Sequence, residues 1–273
     1  MKPNTSLLFL FWMSFIGYNS LIAQDYTFTP VHTIKKKANW IEIDNMKHLY
    51  QIEDGHTLVK YNSQGEQLFV YNENNLGDIH SIDVSNPFRI MVYFYDFSTI
   101  VFLDRTLSET RRFDLVDFDL PLTEVVASAS DNTMWLFDND TYTLKKINNQ
   151  NQVVVESTDL ALISEETISP NRLIEYDNNV YLNVPEIGIL VFDVFGNYIK
   201  TIELLGLDYF QLYENQLFYI EDESLQSYHL LSFFKQKIKL PILKPHLQQL
   251  CISQELLYLN YSQNTEIYQL KKK

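Results

Sequence analysis

Between Arg172 and Leu204 the apolar residues fall into four short runs, RLIEY, VYLNV, ILVFDV and YIKTIEL. The runs are rich in β-branched and aromatic side chains, the composition that a pleated, half-buried surface selects. Between them lie Asp177-Asn178-Asn179, Pro185-Glu186-Ile187-Gly188 and Phe195-Gly196-Asn197. Asn and Asp bond their own backbone and tolerate left-handed φ, Gly supplies positive φ, and Pro presets φ for a turn. The pattern predicts strands over Arg172–Tyr176, Val180–Val184, Ile189–Val194 and Tyr198–Leu204.

The same order of strand, Asx turn, strand, turn, strand, polar turn, strand recurs along the chain. Trp40 opens a first unit and Ile79 a second; others begin at Glu124, Arg172, Tyr209 and Leu247. The first-turn markers are Asp44, Asp83, Asp131, Asp177, Asn215 and Gln254. A four-strand repeat of roughly 40–50 residues is the signature of a β-propeller blade. A β-sandwich with irregular hairpins gives no reason for such a period.

The last unit stops after three strands, while Tyr26–Ile34 (YTFTPVHTI) forms a strand with no nearby partner. If that strand completes the last unit, the ring closes without a covalent link and leaves no bare edge between the ends. The predicted fold is all-β, a six-bladed β-propeller whose N-terminal strand completes the last blade.

Composition adds a compartment. Residues 1–23 carry one basic residue, Lys2, an apolar run from Leu7 to Gly17, and a small residue at Ala23. This is the layout of a secretory signal peptide, and the run is short for a membrane span, which needs about 20 residues. The expected division is 1–23 as signal peptide and 24–273 as propeller, exported to the periplasm or associated with the outer membrane. The net charge of −14 opposes binding to nucleic acid or to an anionic lipid surface. With one cysteine, Cys251, there is no internal disulfide framework. Cys251 sits in LQQLCISQ without a neighbouring base or cation to activate it, and reads as a small buried hydrophobe.

Candidate chemistry is sparse. The six histidines have no zinc-ligand spacing, and Asp138-Asn139-Asp140 lacks the Gly and distal Glu of a calcium loop. No nucleophile elbow, phosphate loop or dinucleotide fingerprint occurs. Asp44, Asp83, Asp131 and Asp177 fall in equivalent turns at one end of the expected channel, where they could form an acidic ring for a cation. Their plainer role is local, because tight turns select Asp for backbone reasons. No cofactor is implied. The loops between units are the expected place for partner contacts, since extended loops on a rigid scaffold carry binding. They hold Lys35, Lys36 and Lys37, the pair Asp117 and Asp119, and Glu165 and Glu166 in a long segment, 158–171. In that segment Ser164-Glu165-Glu166 reads as the start of a helical turn.

Laid out as repeats, the chain resembles six-bladed NHL/TolB-like propellers of bacterial envelopes. The residues that carry this are HSIDVSNPF and the segments LVKYNSQG, LKKINNQN and VFDVFGNY ahead of the fourth strands. The signal ending in Ala-Gln and the aromatic-rich blades resemble envelope proteins of the Bacteroidota. The resemblance implies a non-enzymatic protein-binding or scaffolding component, with an envelope or outer-membrane complex as partner. Two other readings stay open: a cation-dependent propeller enzyme acting on a sugar or lactone, and a carbohydrate-binding module. No catalytic residue transfers from lactonase propellers, whose ligand positions find no match here.

Overall fold

Short strands with turn residues between them pair with their sequence neighbours, and that is what the chain does six times. The structure, a computed structural model, describes residues 26–118, 123–164, 166–222, 224–238, 240 and 246–272. The predicted signal peptide, Asp119 and Glu165 lie outside the described residues. Blade 1 comprises β2 (Trp40–Ile43), β3 (Leu49–Glu53), β4 (Thr57–Tyr61) and β5 (Gln67–Asn72). Blade 2 comprises β6 (Ser81–Asp83), β7 (Ile90–Phe94), β8 (Thr99–Leu103) and β9 (Glu109–Asp114). Blade 3 runs through β10 (Val126–Ser128), β11 (Met134–Asp138), β12 (Thr143–Ile147) and β13 (Val153–Glu156). Blade 4 holds β14 (Arg172–Tyr176), β15 (Asn179–Val184), β16 (Gly188–Asp193) and β17 (Tyr198–Ile202). Blade 5 has β18 (Phe210–Tyr213), β19 (Gln216–Glu221), β20 (Ser224–His229) and β21 (Lys235–Ile238). Blade 6 takes β22 (Leu247–Ser253), β23 (Leu256–Tyr261) and β24 (Thr265–Lys272), and its outer strand is β1 (Tyr26–Ile34).

All six sheets are four-stranded and antiparallel, and β1 pairs with β24 from Tyr26↔Lys272 to Ile34↔Thr265. The expected closure by the N-terminal strand is therefore the observed one. The first strand of blade 4 has the expected bounds, the second and third each start one residue earlier and the third ends one earlier, and the fourth stops two residues short, where Leu204 N–H donates to the Ile202 carbonyl and turns the chain away.

The core is divided among the seams between blades. Six buried apolar clusters each join one blade to the next, and the cluster containing Ile34, Ile41, Leu49, Cys251 and Tyr258 joins blade 6 to blade 1. Every second strand contributes a large buried ring to this arrangement: Tyr50, Tyr93, Trp135, Tyr181, Tyr219 and Tyr258. Burial of an aromatic side chain contributes roughly 1.5–3 kcal/mol.

Antiparallel order places the loops between blades and the second turns at one end of the ring, the loop face. First and third turns lie at the other end, the turn face. The loops leaving blades 1 to 4 are tied to the blade they leave: Ile79 N–H donates to Gly55 O, Leu115 to Ser98, Leu160 to Tyr142 and Gly206 to Pro185. The long segment does hold a single 3-10 turn, Leu160–Leu162, but its cap is Asp159, which accepts from Ala161 N–H. Ser164 instead accepts from Glu166 N–H in a local turn, so the expected start signal lies past the helical turn.

The third turns share one device. Asn62, Asp104, Asn148 and Asp193 each accept from the N–H groups two and four residues on. Positive φ follows at Gly65, Leu107, Asn151 and Gly196. These turns also lock blade to blade. A Cβ on Gly65 would run into the His32 ring of β1, and one on Gly196 would meet Val155 of β13 at 2.9 Å.

Two expectations follow. Gly65→Ala forces a Cβ into β1 at a φ of +82°, and overpacking of this kind costs about 1–3 kcal/mol. The loss, read as a lowered melting temperature, should be partly recovered by adding His32→Ala. The second concerns acid. The Asn197 side chain, with the N–H groups of Asn197 and Phe195, holds the Asp193 carboxyl below its ordinary value of 3.8. Thr106 and the Ser108 N–H do the same for Asp104. A depressed carboxyl stabilises the fold above its unfolded value and loses that contribution as pH falls through the folded one. The melting-temperature gap between the wild type and Asp193→Asn should shrink as pH is lowered from 7 through about 4 to 3. A constant gap contradicts the assignment.

Candidate functional site in the central channel

The first strands line the channel, and each presents an inner edge without a neighbouring strand. Their free backbone groups must find partners, and side chains from adjacent blades supply them. Gln249 Oε1 accepts from Ile41 N–H at 2.8 Å while its Nε2 donates to Ile41 O at 2.7 Å. Gln211 grips Ile252 in the same way, at 2.6 and 2.8 Å. Asp83 accepts from Ser128 N–H at 2.8 Å, and Glu175 accepts from Ser130 N–H at 2.8 Å and from Trp135 Nε1 at 2.6 Å. These bridges gather the inner strands into two arcs, β18–β22–β2 and β6–β10–β14, which match the closest inner-strand contacts.

One ion pair joins the arcs. Arg172 opens β14 in blade 4, Glu42 lies in β2 of blade 1, and the two blades are diametrically opposed. Arg172 Nη2 lies 2.7 Å from Glu42 Oε1, which also accepts from Trp40 Nε1 at 3.2 Å. The guanidinium stands 4.4 Å from the Tyr209 ring centre and 5.6 Å from that of Trp40, and those two rings meet edge to face at 5.2 Å. Burial pushes the Glu42 carboxyl up, and Arg172 only partly pulls it back. For Arg172, burial acts downward, but Glu42 and Tyr209 outweigh it and leave the guanidinium above its ordinary value. Arg172 Nε has no hydrogen-bond partner among the described residues.

Around this cross-brace is a cavity of about 620 Å³ whose lining comes from both ends of the ring. Its wall includes His80, Glu124 and Asp208 toward the loop face, and Asp44, Asp83 and Tyr213 toward the turn face. Behind the brace the Cys251 thiol is fully buried, 3.2 Å from the Tyr209 hydroxyl, and burial pushes its pKa far up. Its burial leaves no room for a substrate beside it.

The four first-turn aspartates do not converge. Asp44 is buried, and its carboxylate accepts from Met46 N–H, His48 N–H, His48 Nδ1 and Tyr50 OH. Asp83 lines the channel, with both oxygens on backbone N–H groups. Asp131 is exposed and pairs with Lys146 at 2.8 Å, and Asp177 is exposed on the turn face. The cause is an offset. The turn-closing bond Asp44 N–H to His48 O has its counterpart in Ala129 N–H to Thr133 O, so Asp131 sits two residues further along its turn than Asp44. Among the described residues, no three His, Cys, Asp or Glu side chains are grouped to hold a metal. Asp138 is a turn residue, accepting from Asp140 N–H and pairing with Lys145 at 2.6 Å.

On the loop face, Lys35, Lys36 and Lys37 are exposed, with Lys36 3.2 Å from Glu53, and Asp117 and Glu166 are exposed on separate loops. In the sequence Trp40, Arg172 and Tyr209 mark only the openings of units, and their meeting with Glu42 is visible in the structure alone. The one available signal was a pair of charged residues, Glu42 and Arg172, within strands otherwise rich in apolar side chains.

Breaking a buried pair from one side costs about 3–5 kcal/mol, whereas replacing both partners is far milder. Arg172→Met should therefore lower the melting temperature steeply, and Glu42→Gln/Arg172→Met should recover at least half of the loss. Equal melting temperatures for the single and double variants would show that the brace carries no charge–charge coupling.

No protein-family model matches the sequence, and no curated protein does. The fold is shared with virginiamycin B lyase from Staphylococcus aureus at a TM-score of 0.60 and 9% identity, over 90% of this chain and 99% of that one. It is also shared with the WD40 domain of Pan2 from Neurospora crassa, at 0.61 and 9%, over 92% and 97%. BamB from Moraxella catarrhalis aligns at 0.53 and 12%, over 90% and 98%. At such identities the likeness establishes the propeller architecture, and function rests on the residues.

Proposed function

We propose that this chain is an exported, non-enzymatic propeller of the NHL/TolB-like class that binds a protein partner in the cell envelope, of the kind found in the Bacteroidota. The observation that carries the reading is the engagement of seven polar side chains in and around the channel. Glu42 and Arg172 hold each other, and Asp44, Asp83, Glu175, Gln211 and Gln249 are committed to neighbouring N–H groups or side chains. A general acid, base or nucleophile needs an accessible group with room for substrate beside it. The channel's most buried acid and base are instead parts of the scaffold.

The loop face has the character of a partner surface. Val116, Leu162 and Leu205 on the loops, and Tyr95, Phe97 and Tyr142 on the adjoining second turns, are exposed. Lys35–Lys37, Asp117 and Glu166 place both signs of charge among them. Interfaces combine aromatic and aliphatic anchors with a polar rim. Because the loops leaving blades 1 to 4 are hydrogen-bonded to those blades, that part of the face is presented with little ordering cost. Export rests on the apolar run Leu7–Gly17 followed by Ala23. Among the described residues, no helix is long and apolar enough to cross a membrane. The charge of −14 argues for a protein partner over nucleic acid.

Mild crosslinking in native cells followed by capture of the tagged chain should recover an envelope protein. Leu162→Asp/Leu205→Asp should cut that recovery at least tenfold without lowering the melting temperature. Equal recovery with both chains, or no envelope protein from either, overturns the reading.

A further inference from the structure

The third turns join the two outer strands of a blade, so together they form the outer rim of the turn face. In blades 1 to 3 their tips are polar: Ser63-Gln64, Arg105-Thr106 and Asn149-Gln150. Blades 4 and 5, side by side, differ. Phe195 stands at the tip in blade 4 with 73% of its surface exposed. In blade 5 the closing bond runs from His229 N–H to Phe234 O, one residue longer than its counterparts, such as Asp193 N–H to Asn197 O. That turn leaves Leu231, Phe233 and Phe234 exposed, at 72%, 59% and 53%. Four large apolar side chains on neighbouring turns exceed the scatter of single exposed residues that a surface normally carries.

The same rim is basic in a chain of net charge −14. The Lys200 ammonium lies 4.7 Å from the centre of the Phe233 ring, and Lys235 and Lys237 are exposed on β21, the strand that leaves the turn. Blade 6 adjoins, since its Phe28 and Leu270 pack with Phe218, Leu225 and Ile238 of blade 5. There β24 reaches the rim with Lys271 exposed, and Lys272 and Lys273 follow in the sequence. Among the described residues, Lys200, Lys235, Lys237 and Lys271 make no ion pair, whereas Lys36, Lys145 and Lys146 each hold a carboxylate. The acids in the described turns of these three blades at this face are Asp193 and, nearer the channel, Asp177, Glu214 and Glu255 of the first turns. Asp193 is committed to the N–H groups of Phe195 and Asn197 and to Asn197 Nδ2.

We propose that the turn-face rim of blades 4 to 6 docks on the surface of an anionic lipid bilayer. Phe195, Leu231, Phe233 and Phe234 enter the headgroup layer, and the lysines meet lipid phosphates. Peripheral attachment of this kind grows with the apolar area buried and with attraction to anionic lipid. The overall charge opposes such a surface, but stacked sheets lie about 10 Å apart and charges are screened over about 8 Å at physiological salt. Acids two or more blades away therefore count for little. Separate turn tips suit a bilayer better than a folded partner, because headgroups yield to protruding side chains and a protein interface needs a continuous complementary patch. The path of the chain agrees. β1 starts at this rim with Tyr26, and the apolar run Leu7–Gly17 precedes it in sequence. The residues between Gly17 and Tyr26 reach at most about 30 Å, so a membrane holding that run holds this rim near it. The proposal goes beyond the loop-face reading and is independent of it, since the loop face lies at the other end of the ring and would point away from the bilayer.

The test is co-sedimentation of residues 24–273, which contain all six blades, with vesicles of phosphatidylethanolamine and phosphatidylglycerol. The chain should bind these vesicles, less so at high salt, and should bind phosphatidylcholine vesicles about tenfold more weakly. Phe195→Ser/Leu231→Ser and, separately, Lys235→Glu/Lys237→Glu should each weaken binding about tenfold at unchanged melting temperature. Tryptophan probes read insertion without relying on those variants. On addition of the anionic vesicles, the emission of Phe195→Trp and of Leu231→Trp should move to shorter wavelength. That of Gln64→Trp, at the equivalent tip in blade 1, should stay. Absence of binding to the anionic vesicles overturns the proposal, as does binding that survives either double variant, or a shift that is equal at all three probes or absent from all. Capture from native cells of a protein whose recovery depends on Phe195 and Leu231, with no vesicle binding, assigns the rim to a protein partner and overturns it too.

Discussion

The pairing of Tyr26–Ile34 with Thr265–Lys272 converts a curved stack of sheets into a ring. Each blade buries one face against its predecessor and one against its successor, so a stack without closure would leave two apolar faces and two strand edges open to water. Joining the first strand to the last sheet supplies the sixth seam, where Ile34, Ile41, Cys251 and Tyr258 pack together. The requirement that six seams close at once sets the positions of the inner strands. The channel, the bridging side chains and the Glu42–Arg172 brace are consequences of where those strands come to rest.

The channel is organised by a shortage of hydrogen-bond partners more than by charge. An inner strand edge in a propeller has no neighbouring strand, and its N–H groups are costly to leave unmade where they are buried, at about 1–3 kcal/mol each. Gln211, Gln249, Asp83 and Glu175 answer that shortage from four different blades. The cross-brace does something else. It reaches over the channel between opposed blades, so the two arcs are held in register by a contact that neither arc makes alone.

Most of the fold was legible in the sequence because blade turns depend on local backbone chemistry. Gly65, Asn151 and Gly196 occupy positive φ in matching third turns, and such residues leave a visible mark at regular spacing. Blades 2 and 5 read as weaker copies because Leu107 and Phe233 hold the same conformation at φ of 60°. Asp104 and His229 side chains cap those turns from within. The site was far less legible. Glu42 and Arg172 are 130 residues apart and meet only because blades 1 and 4 oppose one another. Aspartates aligned by turn type misled for the converse reason. Asp44 and Asp131 satisfy similar local needs two residues out of step, and channel geometry does not tolerate that offset.

The order of strands in blade 6 also bears on time. Among the described residues β1 precedes every other strand, and it must wait for β24, more than 200 residues later, before it has a partner. Until then five sheets and part of a sixth can form, but the two exposed faces at the break have nothing to cover them. Pairings of such long sequence separation form late. A chain of this design therefore stays unlatched until β24 has been made and can take β1 as its neighbour.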